Sequence, residues 1–171
     1  MEEKVSSARI ALKYGVLTGL AIIVYTAIIN VAGLSQNKIL TSLTFAMMIV
    51  GLVIGMKAFR EKNHGYMSYG EGLGVGTQDA VIMGLLGSAF SMFYLKFIDP
   101  GLLTQSLNQV RTELEAKGLD DSQIEAALQT SQKFMTPGFI FGMGVFGYLM
   151  IGFIASLIIA AILRKEKPVF D

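Results

Sequence analysis

GFIFGMGVFGYLMIGFIASLIIAAIL, residues 138–163, is a run of 26 residues without a single charged side chain. An α-helix rises about 1.5 Å per residue, and the hydrocarbon core of a bilayer is about 30 Å thick. About 20 apolar residues are therefore enough to cross it, and this run predicts a transmembrane helix.

Three further stretches have the same character. Residues 14–34 and 39–56 contain no charge, and residues 72–98 contain only Asp79 and Lys96. The whole chain is 53% hydrophobic and 16% charged, with a mean hydropathy of +0.56. We predict an all-α membrane protein in which residues 1–171 form one domain, a four-transmembrane-helix bundle.

The basic residues predict the orientation of these spans. Segments 1–13, 57–71 and 164–171 hold nine of the 14 Lys and Arg residues, Lys4 among them. Short loops rich in Lys and Arg stay in the cytoplasm. We therefore expect a multi-pass membrane protein with both its N-terminus and its C-terminus in the cytoplasm.

Residues 99–137 form the one long connection and show two helix patterns. Asp99 suits an N-cap with Pro100 as the first helical residue, and Gly118 suits the position just after the helix. Between them, apolar residues recur at helical spacing: Leu103, Leu107, Val110 and Leu114.

A second helix start follows at once, since Asp120 and Gln123 have the spacing of a capping box. We expect its inward face to contain Ile124, Ala127, Leu128, Ser131 and Phe134, and Pro137 to separate it from the last span. The sequence thus predicts an extracytoplasmic amphipathic helical hairpin between the third and fourth spans. Two placements are open, along the membrane surface or projecting into the periplasm.

Three polar residues form the candidate intramembrane polar site: Asp79, Gln78 and Asn30. An ionisable group inside a membrane helix is costly and often functional. However, residues 80–98 alone are long enough to span the membrane, so an interfacial or hydrogen-bonded structural role is favoured for Asp79. For Asn30 we favour a helix–helix hydrogen bond or an interfacial position.

The composition argues against several function classes. The chain has no Cys, which excludes a thiolate metal site, and its one His, His64, lies in a polar loop, so there is no Ser-His-Asp candidate. The glycine-rich stretch 70–76 does not match the spacing of a phosphate-binding loop. A net charge of +1 shows no excess of basic residues of the kind that nucleic-acid-binding proteins carry. We expect no enzyme activity, no catalytic or metal-binding residues, no cofactor and no nucleic-acid partner.

Small residues recur four positions apart in every span, a spacing that lets membrane helices approach closely within a molecule or between subunits. The pairs are Gly15/Gly19, Gly51/Gly55, Ala80/Gly84 and Gly138/Gly142.

Short motifs along the whole chain resemble an uncharacterised family of integral membrane proteins, domain-of-unknown-function family 4199, found mainly in Bacteroidota. The resemblance implies a bacterial inner-membrane protein and no activity, and it implies a mostly apolar residue at the position of Asp79. The motifs are Lys13-Tyr14-Gly15, Thr18-Gly19, Gly65-Tyr66-Met67-Ser68-Tyr69-Gly70, Ile98-Asp99-Pro100, Pro137, Ser156 to Leu163 and Arg164-Lys165.

Two functions fit these features. The first is a non-enzymatic accessory or scaffold subunit that acts through helix packing and its outer hairpin, in contact with the lipid bilayer and with a second copy or another membrane protein. The alternative is a small proton- or cation-coupled transporter that uses Asp79.

Overall fold

The computed structural model describes residues 6–167, so Lys4 and the last four residues lie outside the described part. A short π-helical turn, Tyr94–Ile98, follows the third helix directly. Within the described range there is no β-sheet, and the predicted all-α fold is confirmed. Six α-helices form: α1 (Ser7–Val31), α2 (Lys38–Lys62), α3 (Tyr69–Phe93), α4 (Gly101–Ala116), α5 (Asp121–Phe134) and α6 (Pro137–Leu163).

Four of these helices are long and apolar enough to cross a membrane, which confirms the predicted number of spans: α1, α2, α3 with its π-helical turn, and α6. Their outward faces carry exposed aliphatic side chains such as Val24, Ile158 and Ile162, the last of them 74% exposed. A soluble protein rarely exposes apolar surface on this scale, because it would associate in water. Lipid is the solvent that suits these faces.

α1 and α2 run beyond their uncharged stretches, and local caps set the residues at which they begin. α1 begins at Ser7, where the Ser6 hydroxyl accepts a hydrogen bond from the Arg9 N–H at 3.3 Å. α2 begins after Asn37, whose side-chain oxygen accepts from the Ile39 N–H at 3.0 Å. Such caps satisfy backbone N–H groups that have no partner in the first helical turn.

The chain divides into two compact units, the first being Met1–Gly87 with Val145–Asp171. In this unit the helices meet at small residues. A methyl group at Gly51 would collide with Thr18 of α1, and one at Gly152 would collide with Ala80 of α3. Because glycine has no side chain, the backbones of neighbouring helices approach closely and gain dispersion contacts. Such contacts are the main source of helix association in lipid.

The loop after α2 and the end of α6 lie side by side in the first unit. Met67 and Lys165 exchange two backbone hydrogen bonds of 2.8 Å each, and the Arg60 guanidinium donates to the Leu163 carbonyl at 3.1 Å. The middle loop and the C-terminal segment are thus on one side, as the charge pattern requires. Whether that side is the cytoplasm stays a prediction.

The second unit, Ser88–Gly144, contains α4 and α5, and the predicted hairpin is confirmed. Gly118 has a φ of 76° and ends α4, and the predicted capping box of Asp120 and Gln123 opens α5. The expected inward position of Phe134 is wrong, since its side chain is 51% exposed. Its ring packs instead against Phe139 in a tilted arrangement, with centroids 5.0 Å apart.

That all four spans form a single domain stays a prediction.

Candidate functional site

The Asp79 carboxyl group lies in the first unit, where α3 meets α1 and α2. The residue is fully buried. A methyl group at Gly15 would stand 3.1 Å from Oδ1, and a methyl group at Gly55 would collide with Oδ2. Two small-residue pairs predicted from the sequence therefore make room for this carboxyl group. We call Asp79, Gly15 and Gly55 the Asp79 contact.

The Asp79 contact lies close to the charged boundary of the spans but is enclosed on all sides. Gly15 comes two residues after Lys13, and Gly55 comes two residues before Lys57, so the carboxyl group is about 3 Å inside the level of these lysines. Both lysines are exposed, whereas Asp79 is buried between helices. Asp79 thus lies near the level of these lysines but is interior in its surroundings; that this level is the membrane interface stays a prediction.

Neither oxygen of the Asp79 carboxyl group accepts a well-formed hydrogen bond among the described residues, and the backbone N–H of Gly15 gives it only partial stabilisation. Buried polar groups in folded proteins are nearly always hydrogen-bonded, and an unpaired buried charge is costly. The interfacial or hydrogen-bonded structural role that the sequence favours for Asp79 stays a prediction. An orphaned buried carboxyl group can bind a proton or a small cation.

A second orphaned polar group faces the same helix. Ser156 of α6 is fully buried, and its hydroxyl has no partner within the described part of the chain. A methyl group at Gly76, one helical turn before Asp79, would collide with this hydroxyl and with the end of Met56. Sequence reasoning missed Ser156 as a site residue. The sequence did contain a signal for it: Ser156 carries a hydroxyl within an uncharged run, and small residues, Gly152 and Ala160, lie four positions before and after it.

The other two predicted site residues lie elsewhere. Gln78 is exposed and lines a groove of about 400 Å³ between α1 and α3, together with Ala8 and Leu12. Asn30 is half-buried near the end of α1. It is 15 residues from Gly15, or about 22 Å along the helix. The three residues do not form one site, and Asp79 is enclosed without them.

The chemistry available at the Asp79 contact is narrow. One carboxyl group and, a turn away, one hydroxyl face glycines and apolar side chains. His64 lies in the exposed loop after α2 with a φ of 55°. Within residues 6–167 no three His, Cys, Asp or Glu side chains gather closely enough to hold a metal ion. The arrangement suits helix packing or the binding of one small cation or proton.

Comparison with curated proteins and with solved structures gave no match. A family model does match, over residues 13–165, which includes all four spans and the hairpin. Its description is "Protein of unknown function (DUF4199)". The match covers most of the chain and agrees with the resemblance carried by the sequence motifs. This protein belongs to the DUF4199 family of proteins of unknown function.

Proposed function

We propose that this membrane protein is a non-enzymatic accessory or scaffold subunit of the bacterial inner membrane, with both termini in the cytoplasm. It acts through its packed helices and through the α4–α5 hairpin, which contacts a second copy or another membrane protein. The observation that carries the proposal is this hairpin, an ordered and charged surface between two spans.

The hairpin is held together by its own residues. Gly118 and Asp120 fix the turn, and Ile124 and Leu128 of α5 are buried. The contact between Arg111 and Glu125, at 3.9 Å, is exposed and adds little stability. Burial and caps therefore fix the shape of the hairpin.

The outward surface of the hairpin is acidic. Residues 99–137 carry six carboxylates against three basic residues. Hydrogen bonds from the Ser122 hydroxyl and the Gln123 N–H hold the pKa of Asp120 below its usual value. A fixed acidic surface favours a partner with a basic face, because complementary charge speeds encounter and rejects wrong partners.

Photocrosslinking in cells tests this proposal. A photoreactive amino acid is placed at Thr112 of α4 or Gln129 of α5, both exposed, and at Ile158 of α6 as a lipid-facing control. We expect a discrete crosslinked protein from the hairpin positions and none from Ile158. A strict monomer in detergent, with no crosslink from either hairpin position, would remove the proposal.

The orphaned carboxyl group of Asp79 favours a second candidate function, a small proton- or cation-coupled transporter. A group that must gain and lose a proton or cation cannot be held in strong permanent hydrogen bonds, and within residues 6–167 Asp79 has only partial stabilisation from the Gly15 backbone N–H. Intramembrane carboxyl groups serve as proton relays in transporters.

Proteoliposomes containing a trapped pH-sensitive dye test the second candidate. A transporter predicts protein-dependent proton flux that Asp79→Asn abolishes and that Asp120→Asn, a change at an exposed cap, leaves intact. Flux unchanged by Asp79→Asn would exclude this use of Asp79. The scaffold proposal predicts crosslinks that survive Asp79→Asn, so the two experiments separate the candidates.

A further inference from the structure

The outward side of α1 and α2 contains an apolar groove of about 570 Å³. It exists because small side chains, Ala21 of α1 and Ala46 of α2, lie between larger ones. The larger lining residues Leu17 and Val50 are more than half exposed, so the groove opens to the side, where lipid surrounds the helix pair. The remaining lining residues are Tyr14, Thr18, Tyr25, Leu43, Met47, Gly51 and Ile54.

The two ends of the groove differ. At one end the Tyr25 hydroxyl donates a hydrogen bond to the Leu40 carbonyl at 2.8 Å, which ties α1 to α2 near their connecting turn. The opposite end is basic. Lys13 precedes Leu17 by one helical turn and Lys57 follows Ile54 by nearly one turn, so each lysine shares a helix face with a lining residue.

Both lysines are available to a ligand. Their side chains are exposed, and neither forms an ion pair with an acidic group in the described part of the chain. The Lys13 ammonium group lies 5.4 Å from the centre of the Tyr14 ring, at the entrance of the groove. Two unpaired positive charges thus stand where the apolar lining begins.

The length of the groove matches one leaflet. From Tyr14 to Tyr25 the lining of α1 rises about 17 Å, close to half of the roughly 30 Å hydrocarbon core. A transmembrane helix of a second copy would cross the whole core, past the closure at Tyr25 and Leu40. Such an apolar helix would also offer no negative charge to pair with the two lysines. An acyl chain beneath an anionic headgroup fits both the length and the charge.

We propose that this groove is a binding site for an anionic phospholipid, whose phosphate pairs with Lys13 and Lys57 while one acyl chain lies between α1 and α2. Basic pockets between transmembrane helices bind anionic headgroups in this way. The site adds a ligand that the proposed scaffold function does not require.

Native mass spectrometry of the full-length protein in detergent tests the site, with phosphatidylglycerol and phosphatidylcholine as competing probes. We expect phosphatidylglycerol to be retained preferentially. The double variant Lys13→Gln/Lys57→Gln should lose this preference by about 25-fold, since each basic residue near an anionic headgroup contributes about a factor of five. The matched control Lys117→Gln/Lys133→Gln removes the same charge from the hairpin and should leave the preference unchanged.

A second pair of variants tests the acyl chain. Ala46→Phe fills the groove and should reduce retention of both lipids, whereas Ala161→Phe, at an exposed alanine of α6, should not. Circular dichroism and gel filtration verify that each variant folds. Equal retention of the two lipids by the wild type, or a preference that survives the double lysine variant, would overturn the proposal. So would a dimer that Ala46→Phe disrupts, because a second copy would then be the occupant.

Discussion

Two aspartates of this chain lie in opposite surroundings. Asp120 is exposed at the turn between α4 and α5, and it accepts hydrogen bonds from the Ser122 hydroxyl at 2.7 Å and from the Gln123 N–H at 2.9 Å. Asp79 is fully buried between three helices, and among the described residues only the Gly15 backbone N–H gives its carboxyl group partial stabilisation. We call Gly118, Asp120, Ser122 and Gln123 the Asp120 turn.

The difference shows what each region requires. Every partner of Asp120 lies within three residues of it, so the Asp120 turn is stabilised by local hydrogen bonds. The Asp79 contact depends on glycines from two other helices and exists only when those helices pack. We expect added bulk at the Asp79 contact to destabilise the first unit as a whole, and mutations at the Asp120 turn to loosen the hairpin locally.

The largest effect is expected from Gly55→Ala. The added methyl group collides with Asp79 Oδ2, and overpacking of this kind costs about 2 kcal/mol. Unfolding in mixed detergent micelles measures the loss. Gly147→Ala on α6 is the control, because nothing lies within 4 Å of its added methyl group and alanine favours a helix.

A double-mutant cycle identifies the cause of that loss. In an Asp79→Ala background the collision partner is gone, so Gly55→Ala should cost much less than in the wild type. An equal cost in both backgrounds would mean that Gly55 does not act through the carboxyl group.

Gly118→Ala should have the next largest effect. A φ of 76° is left-handed, and a residue with a Cβ adopts it at a cost of about 1 kcal/mol. Hydrogen exchange should show faster opening at the α4–α5 turn, with the amides of α1 and α2 unaffected. A change of equal size in the hydrogen-exchange rates of amides across the whole chain would contradict a local role for the Asp120 turn.

Asp120→Ala should produce a smaller, local and pH-dependent change. The pKa of Asp120 is held below its ordinary value of 3.8 by the Ser122 hydroxyl and the Gln123 N–H. The stabilisation is therefore fully present above pH 3.8 and is lost as the pH falls through the lowered pKa. The protection factor of the Gln123 amide should fall below pH 3.8 in the wild type, and should be low at every pH in Asp120→Ala.

The smallest effect on stability is expected from Asp79→Asn. The amide has nearly the same shape, and no hydrogen-bond partner is left behind, so the penalty for orphaning a partner does not arise. Unfolding measurements should place the variant within about 0.5 kcal/mol of the wild type. A loss several times larger would reveal a bound group at Asp79 and would favour the transporter.

Sequence patterns predicted the turn of the α4–α5 hairpin residue by residue, whereas α4 begins at Gly101 with Pro100 and not Asp99 as its N-cap. Gly118 and the Asp120–Gln123 capping box form their contacts within a few residues, so their spacing alone specifies the turn. Phe134 was misplaced because helical periodicity continues to the last turn, whereas a terminal aromatic ring can swing onto a neighbour such as Phe139. Gln78 and Asn30 were grouped with Asp79 because all three are polar. Polarity alone does not show which face of a helix a residue lies on.

By itself, the sequence determined that this chain has four apolar spans, a capped hairpin between the last two, and glycines spaced for close helix packing. Those features follow from hydrophobic run length and from short-range hydrogen bonds, which are local along the chain. Only the tertiary structure decided that Gly15 and Gly55 enclose Asp79, that Ser156 faces Gly76, and that α1 and α2 leave a groove beside Lys13 and Lys57. Each of these depends on the rotation of one helix against another, and that rotation is fixed by packing between residues far apart in the sequence.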